Sequence, residues 1–287
     1  MNKPLIEKLA IIGVGLMGGS LAMSLRENGE VGSVMGIGRG LANLEKAKEL
    51  GIVDSYTQSL EEGLKDADVV IVATPVGSIV DLIQSNQKYM KPGAVITDVG
   101  SVKGDIVNGV DRILDDRLSF VGGHPIAGTE KSGADAAFPG LYKGSRCIIT
   151  PSKSSGEEAL SLVKRMWELT GAKVIVMEAE DHDKILAAIS HLPHVVAYSL
   201  VNTVDGVKDF EESIMKYSAG GFRDFTRIAS SSPEMWRDIC VMNRDALLDM
   251  MGRYMSELKN VQKMIEEGDS VRLLENFEKS KRARDSI

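Results

Sequence analysis

His124 is the residue of this sequence best suited to proton transfer. It follows Gly122 and Gly123 and precedes Pro125. Glycines let a chain pass close to a ligand, and imidazole is the side chain best matched to proton transfer near neutral pH. Removal of hydride from an alcohol requires such a base beside the reacting carbon. We therefore predict that His124 is catalytic, with a hydrogen-bonded structural histidine as the alternative.

The other three histidines, His182, His191 and His194, lie close together on or just before a predicted helix. At about 100° per residue, we expect this helix to bury one face and to present imidazoles on the other. The buried face would carry Ile185, Ile189, Leu192 and Val196, and the opposite face Ala187, His191, His194 and Tyr198. Pro193 should kink the helix. The HxxH spacing also allows a metal site, with Asp181, His182 and Asp183 nearby, but HExxH spacing and a fixed fourth ligand are missing. No metal is predicted.

A candidate anion-binding segment lies further along the chain, in the run GGFRDFTR at residues 220–227. Two glycines before an arginine- and aspartate-rich stretch are typical of a loop that closes on a ligand. Arg227 would bind a carboxylate there through two hydrogen bonds. An ordinary surface ion pair between Arg223 and Asp224 is the alternative.

The N-terminal sequence indicates the scaffold that would position these side chains. An apolar run at residues 9–12 is followed by Gly13, Gly15 and Gly18 at GxGxxG spacing and by a helical stretch at 19–27. In a dinucleotide site the first glycine makes a tight turn, the second admits a pyrophosphate and the third packs helix on strand. The N–H groups at the start of the helix, with Leu16 and Met17 beside them, would face the phosphates. The alternative is that these glycines only make turns.

Strand and helix patterns then alternate along the first half of the chain. Strands are predicted at residues 31–37, 69–73, 94–98 and 173–177, and helices at 41–50, 80–90 and 158–169. Such alternation predicts an α/β fold with a Rossmann-type, doubly wound parallel sheet. Ligands bind at the carboxyl ends of its strands, which places Thr74–Pro75, Gly100–Ser101 and residues 122–125 on the functional rim.

The end of the second strand bears on which nicotinamide cofactor is bound. NAD sites usually place an acidic residue there to accept from the ribose 2′-OH. Residues 31–44 contain no acid, and Arg39 lies where a 2′-phosphate would be bound. The sequence therefore favours NADP over NAD. The alternative is that Arg39 stacks on the adenine or points to solvent, which would leave both cofactors usable.

The second half of the chain shows no strand pattern. We expect a dinucleotide-binding domain at residues 1–178 and an all-helical substrate and dimerisation domain at 179–287, with helices at 184–204, 211–218, 233–264 and 270–284.

Composition limits the class of protein. The chain has 287 residues, a formal charge of −7 and 43% hydrophobic residues, which fits a globular protein and argues against nucleic-acid binding. Cys147 and Cys240 are too far apart for a CxxC motif, so we expect a cytoplasmic protein. The uncharged stretch 9–25 could be a secretory signal, but its glycines argue against that. No membrane association is predicted.

Six segments together resemble the prephenate dehydrogenase family, which includes the arogenate and cyclohexadienyl dehydrogenases of tyrosine biosynthesis. They are, in chain order, IIGVGLMGGSLA, ATPV, ITDVGSVK, GGHPIAGTEKSG, DHDKILAAISHLPH and GGFRDFTRIA. The likeness covers nearly the whole chain, and GGHPIAGTE is its most specific part. It implies NAD(P)-dependent oxidative decarboxylation of prephenate or arogenate by a homodimer.

The resemblance also implies roles for individual residues. Hydride would leave the carbinol carbon for the nicotinamide while His124 takes up the hydroxyl proton, and loss of CO2 would restore an aromatic ring. Ser101 looks like the family serine that orients His124 and touches both hydroxyl and nicotinamide, and Arg227 resembles the carboxylate-binding arginine. The pocket is expected to include Gly220, His194, Asp224 and Trp236. His182 and His191 receive no firm role.

Two alternative functions stay open on the sequence alone. A β-hydroxyacid-type dehydrogenase would require a catalytic lysine, for which Lys184 is the candidate. A non-catalytic dinucleotide sensor would keep the glycine loop but would not need Ser101, His124 and Arg227 together.

Overall fold

An eight-stranded sheet organises the first half of the chain. The computed structural model describes residues 3–129, 131–209 and 212–287. The strands are β1 (Ile6–Ile12), β2 (Val31–Ile37), β3 (Ser55–Thr57), β4 (Val69–Val72), β5 (Val95–Asp98), β6 (Ser119–Ile126), β7 (Arg146–Pro151) and β8 (Lys173–Val176). Their spatial order is β3-β2-β1-β4-β5-β6-β7-β8, which confirms the predicted Rossmann-type architecture.

Helices cover both faces of this sheet and then form the second half of the chain. Around the sheet lie α1 (Leu16–Glu27), α2 (Leu41–Glu49), α3 (Leu60–Leu64), α4 (Ile79–Asn86), α5 (Gly104–Asp111) and α6 (Glu157–Leu169). After β8 follow α7 (Ala179–Leu186), α8 (Leu192–Asp205), α9 (Gly220–Thr226), α10 (Pro233–Met242), α11 (Arg244–Glu266) and α12 (Ser270–Arg284).

The sequence explains why the centre of the sheet is parallel and buried. The four residues of β4, VVIV, are all buried, as are the four of β5. Continuous apolar runs of this kind are typical of strands covered by helices on both faces. Two apolar clusters, one on each face, hold the helices against the sheet.

Four details of the predicted elements were wrong. The segment at residues 220–227, expected to be a loop, forms α9 and the start of the 3-10 turn that follows it. The sheet is not wholly parallel, because the unpredicted strand β7 runs antiparallel to β6. The predicted helix at 211–218 is a short 3-10 turn, Ile214–Tyr217, with residue 211 outside the described part of the chain. The predicted helix at 233–264 is interrupted at Asn243, where α10 ends and α11 begins.

The expected burial pattern on the histidine-bearing helix was also wrong. Ile189 is 70% exposed, whereas Ala187 and His191 are buried. A π-helical turn, Ala187–His191, joins α7 to α8 and changes the angular spacing on which the prediction relied. Since Pro193 cannot donate a hydrogen bond to the preceding turn, a locally widened helix accommodates it.

Residues Ala179–Asp205 form one continuous helical segment, whose most apolar stretch has a mean hydropathy of 1.3. By length and composition alone it could cross a membrane. A single helix of this kind is weak support for a membrane span, because core helices of globular proteins pass the same test. In this structure its buried polar residues contact the sheet domain, as described below.

Candidate active site

A cleft of about 680 Å³ lies beyond the carboxyl ends of β1, β2 and β4. Of the residues predicted to bind a cofactor, Gly13, Gly15, Arg39, Thr74 and Pro75 line it. Leu16, Met17 and Gly18 are not among its lining residues; the Leu16 side chain is buried, and that of Met17 packs on the core. Only the backbone of the first helical turn is therefore available to a ligand in the cleft.

The three motif glycines have different surroundings. Gly13 has a φ of +93°, and a Cβ there would lie 2.5 Å from the carbonyl oxygen of Ala73, so this turn requires glycine. A Cβ on Gly18 would lie 2.6 Å from Ile11 Cγ2, because α1 packs closely on β1. A Cβ on Gly15 would come no closer than 3.9 Å to its nearest neighbour, which leaves space beside the backbone for a ligand.

His124 lies on β6, at the same edge of the sheet. Parallel pairing of β5 with β6 covers Val121 but not His124, which pairs with Ile148 of β7 instead. The two glycines before His124 do not open space for a ligand, contrary to our expectation. A Cβ on Gly122 would collide with Thr150 Oγ1, and one on Gly123 would lie 2.8 Å from the Asp98 carbonyl oxygen. These glycines let β6 pass between its neighbours.

A buried ion pair holds the backbone next to His124. Lys103 Nζ forms an ion pair with Asp98 Oδ2, and both side chains are inaccessible to solvent. Asp98 Oδ1 accepts from the N–H of Gly123 at 3.0 Å, and Lys103 Nζ donates to the Gly123 carbonyl at 3.0 Å. The pair therefore binds both polar backbone groups of Gly123. Burial lowers the pKa of Lys103, while the Asp98 carboxylate opposes that shift.

The imidazole of His124 contacts a second imidazole rather than a serine. His124 Nδ1 lies 2.8 Å from His182 Nε2, and His182 Nδ1 lies 2.7 Å from Asp183 Oδ1. We expected Ser101 to orient His124, but this contact is made by His182. Among the described residues, no hydrogen-bond partner faces His124 Nε2. Burial, followed by the proximity of the basic groups of His182, Lys103 and His191, holds the pKa of His124 well below 6.5, so its ring is neutral at neutral pH.

His191 belongs to a second buried group at the junction of the two domains. Asn243 Nδ2 donates to the Asp183 carbonyl at 2.8 Å and to His191 Nδ1 at 2.9 Å. The proton of neutral His191 therefore lies on Nε2, which is buried without a partner among the described residues. The Trp236 indole Nε1 is likewise buried and unpartnered. Burial lowers the pKa of His191 to about 4.

Trp236 connects this group with the remaining predicted pocket residues. Its ring stacks on His194 with centroids 3.6 Å apart, and meets His191 edge-on at 5.9 Å. Burial lowers the pKa of His194, and the nearby Arg227 guanidinium lowers it further. Arg227 and Asp224 are exposed at the end of α9, and Asp224 lies beside Gly220.

Sequence reasoning missed several residues of this site. Asp98, Lys103 and Asn243 were not singled out, Asp183 was considered only as a possible metal ligand, and His182 was given no firm role. Asp98 and Lys103 do lie within the ITDVGSVK segment, where an acid at the end of an apolar strand is a usable signal. For Asn243, nothing in the local sequence indicates its partners. No group of three or more possible metal ligands occurs among the described residues.

Comparison with known proteins relates both halves of the chain to one family. Residues 21–176 match the family model described as the nucleotide-binding domain of prephenate dehydrogenase, and residues 178–279 match the model of its dimerization domain. The chain is 36% identical to prephenate dehydrogenase of Bacillus subtilis (strain 168), over 98% of this chain and 76% of the relative. It is 35% identical to cyclohexadienyl dehydrogenase of Zymomonas mobilis, over 97% of this chain and 95% of the relative.

A solved structure is similar over the whole fold. The crystal structure of prephenate dehydrogenase from A. aeolicus, in complex with hydroxyphenyl propionate and NAD+, superimposes with a TM-score of 0.92 at 39% sequence identity. The match covers 98% of both chains. The sheet domain and the helical domain therefore both superimpose on those of the relative.

Proposed function

Because the chain belongs to the prephenate dehydrogenase family, we propose that it oxidises and decarboxylates prephenate or arogenate in tyrosine biosynthesis, with a nicotinamide dinucleotide as hydride acceptor. The observation that carries this proposal is the neutral, buried His124 at the edge of the sheet, whose Nε2 has no hydrogen-bond partner in the described part of the chain. An imidazole in that state is suited to accept the proton of a substrate hydroxyl.

The residues present fit a bound dinucleotide. Gly15 leaves space beside the backbone at the start of α1, where phosphates bind to free N–H groups. Near the other end of the site, the buried indole N–H of Trp236 lacks a partner among the described residues and is available to a ligand oxygen. When bound, the nicotinamide ring supplies the acceptor for the hydride of the carbinol carbon.

The chain's own residues then handle the proton and the carboxylates. His124 Nε2 accepts the hydroxyl proton as the carbinol becomes a ring ketone. Loss of CO2 returns an electron pair to the ring, and the phenolate oxygen that results takes the proton back from His124. We assign Ser101 to the hydroxyl and nicotinamide, and Arg227 to a substrate carboxylate. The rest of the proposed pocket consists of Gly220, His194, Asp224 and Trp236.

We further propose that NADP is used in preference to NAD. None of the described residues that line the cleft is acidic, and the exposed Arg39 lies at its rim after β2, where a 2′-phosphate would be bound. The relative from A. aeolicus was solved with NAD+, so the preference has to be measured on this chain.

The second domain is proposed to form a homodimer, as the description of its family model suggests. Large apolar side chains are exposed along its helices: Ile185, Ile189, Val241, Leu248, Met255, Leu258, Ile265, Val271, Leu274 and Phe277. A mostly apolar groove of about 430 Å³ lies between α8 and α11. Exposed apolar area of this extent is typical of a protein interface. Light scattering should therefore give twice the mass of one chain. Both cysteines are free thiols, which supports a cytoplasmic location.

The two alternatives are not favoured. The lysine required by a β-hydroxyacid-type dehydrogenase would be Lys184, whose exposed side chain lies 3.8 Å from Asp181 instead of facing His124. A dinucleotide sensor would not require the buried hydrogen-bonded groups around His124.

The test is an assay of prephenate and arogenate, each with NAD and with NADP, that follows the reduced nicotinamide. We expect turnover with NADP and at least one of the two substrates. The absence of reaction in all four combinations would overturn the functional assignment. A strong preference for NAD would overturn only the role given to Arg39.

A further inference from the structure

A line of hydrogen bonds begins at His124 Nδ1, the ring nitrogen opposite Nε2. His124 Nδ1 meets His182 Nε2 at 2.8 Å, and the other nitrogen of His182 meets Asp183 Oδ1 at 2.7 Å. His182 is fully buried, and Asp183 is buried as well. His124 is on the sheet, whereas His182 and Asp183 are on α7, so the line crosses the junction of the two domains.

The last member of this line is held in place by backbone. Asp183 Oδ1 accepts from the N–H of Lys103 at 2.9 Å, and Oδ2 accepts from the N–H of Gly104 at 2.8 Å. Gly104 is the first residue of α5, and a carboxylate is favoured at a helix N-terminus. Asp183 therefore presents a fixed, acceptor-only group to His182.

The protonation of both rings follows from that acceptor. Since an ionised carboxylate cannot donate, His182 must carry its proton on Nδ1. When Nδ1 carries the single hydrogen of the His182 ring, His182 Nε2 is an acceptor, and the nitrogen that donates to it is His124 Nδ1. His124 then has its lone pair on Nε2, the atom to which no described residue forms a hydrogen bond.

We propose that His182, oriented by Asp183, is a positioning residue that fixes the tautomer of His124 and thereby leaves Nε2 able to accept the substrate proton. The proposal rests on the proposed function only for the identity of that proton. With the other tautomer, Nε2 would carry hydrogen and could not act as a base. In serine proteases, where an aspartate sets a histidine tautomer in the same way, the wrong tautomer costs on the order of 10⁴ in kcat.

Two amide substitutions at one position separate tautomer control from packing. The amide of His182→Gln extends to the place of Nε2, so its oxygen can accept from His124 Nδ1. The shorter amide of His182→Asn lies near the place of Nδ1; it can still donate to Asp183 but does not reach His124. We expect kcat to fall about 10²- to 10³-fold in His182→Asn and no more than about tenfold in His182→Gln. KM and cofactor affinity should stay within about threefold of the wild-type values in both.

Equal loss of kcat in the two variants would overturn the proposal, as would a His182→Asn enzyme within threefold of wild type. A second measurement does not depend on how the variants fold. Nitrogen-15 NMR of the wild-type protein reports which nitrogen of each of the four histidines carries hydrogen. We expect protonated Nδ1 in both His124 and His182, and a protonated Nε2 in His124 would overturn the inference.

The NMR result also separates this inference from the proposed function. It holds or fails in wild-type protein whether or not prephenate or arogenate is turned over. An enzyme that is active on either substrate but carries hydrogen on His124 Nε2 refutes the tautomer role alone. A correct tautomer without any turnover refutes the functional assignment alone.

Discussion

The glycine loop and the histidine cluster are placed by different kinds of interaction. Gly13, Gly15 and Gly18 lie within six consecutive residues, and their positions follow from one strand, one turn and one helix. The histidine cluster combines β6, α7, the π-helical turn and the start of α11, elements that are spread over more than 100 residues of the chain. A local motif fixes the proposed cofactor cleft, whereas contacts across the domain junction fix the proposed base.

The largest effect that distinguishes the two regions is expected from His124→Asn. Asparagine has no titratable nitrogen, so kcat should fall about 10²- to 10⁴-fold, the usual contribution of a general base. Cofactor affinity should change little, because the cleft residues do not contact His124. Steady-state kinetics and fluorescence titration with NADP measure the two quantities. A variant that keeps a tenth of wild-type kcat would exclude His124 as the base.

This contrast explains how far sequence reasoning reached. The sheet and most of its helices were predictable because buried parallel strands are continuous apolar runs, such as Val69–Val72. The short β3 and the antiparallel β7 were not, since neither has a distinctive local pattern. The doubly wound arrangement of the sheet followed from the alternation of strand and helix.

The site was predictable only where a residue's role is local. His124 was singled out because an imidazole after two glycines at the edge of the sheet is suited to proton transfer. The role proposed for His182 was not predictable. It depends on Asp183, which is fixed by hydrogen bonds from backbone N–H groups at the start of α5, and α5 was itself not predicted. The buried face of α7 and α8 was wrong because a π-helical turn changes the helical spacing. A pattern analysis that assumes 3.6 residues per turn cannot predict such a change.

The next largest effect is expected from breaking the buried ion pair beside His124. Lys103→Met would leave the Asp98 carboxylate buried without its cation, which costs about 3–5 kcal/mol of unfolding free energy. The double variant with Asp98→Asn should be less destabilised, because no uncompensated charge is left. Urea denaturation measures both. As a matched control, Lys281→Met breaks an exposed ion pair with Asp285 and should leave stability unchanged. A double variant as unstable as the single one would contradict this account.

Within the glycine loop, two alanine substitutions should have opposite consequences. Gly18→Ala places a Cβ 2.6 Å from Ile11 Cγ2, so we expect a loss of about 1–3 kcal/mol in stability from overpacking. Gly15→Ala meets nothing within 3.9 Å and should leave stability unchanged. Its methyl group would instead occupy the space left for the pyrophosphate and weaken cofactor binding about tenfold or more. Thermal unfolding and cofactor titration of both variants test the pair; a stable Gly15→Ala protein with wild-type cofactor affinity would contradict the assigned pyrophosphate position.

The smallest effect is expected at the rim of the cleft, from Arg39→Ser. The Arg39 side chain is exposed and forms no ion pair with the described residues, so its removal should not affect folding. A guanidinium bound to a 2′-phosphate contributes a charge-assisted hydrogen bond, and its loss should lower kcat/KM for NADP about tenfold while leaving that for NAD unchanged. Because the two cofactors differ only at the 2′ position, their ratio isolates this contact from every other part of the site. An equal loss with both cofactors would instead indicate that Arg39 stacks on the adenine, and the cleft would then not discriminate between them.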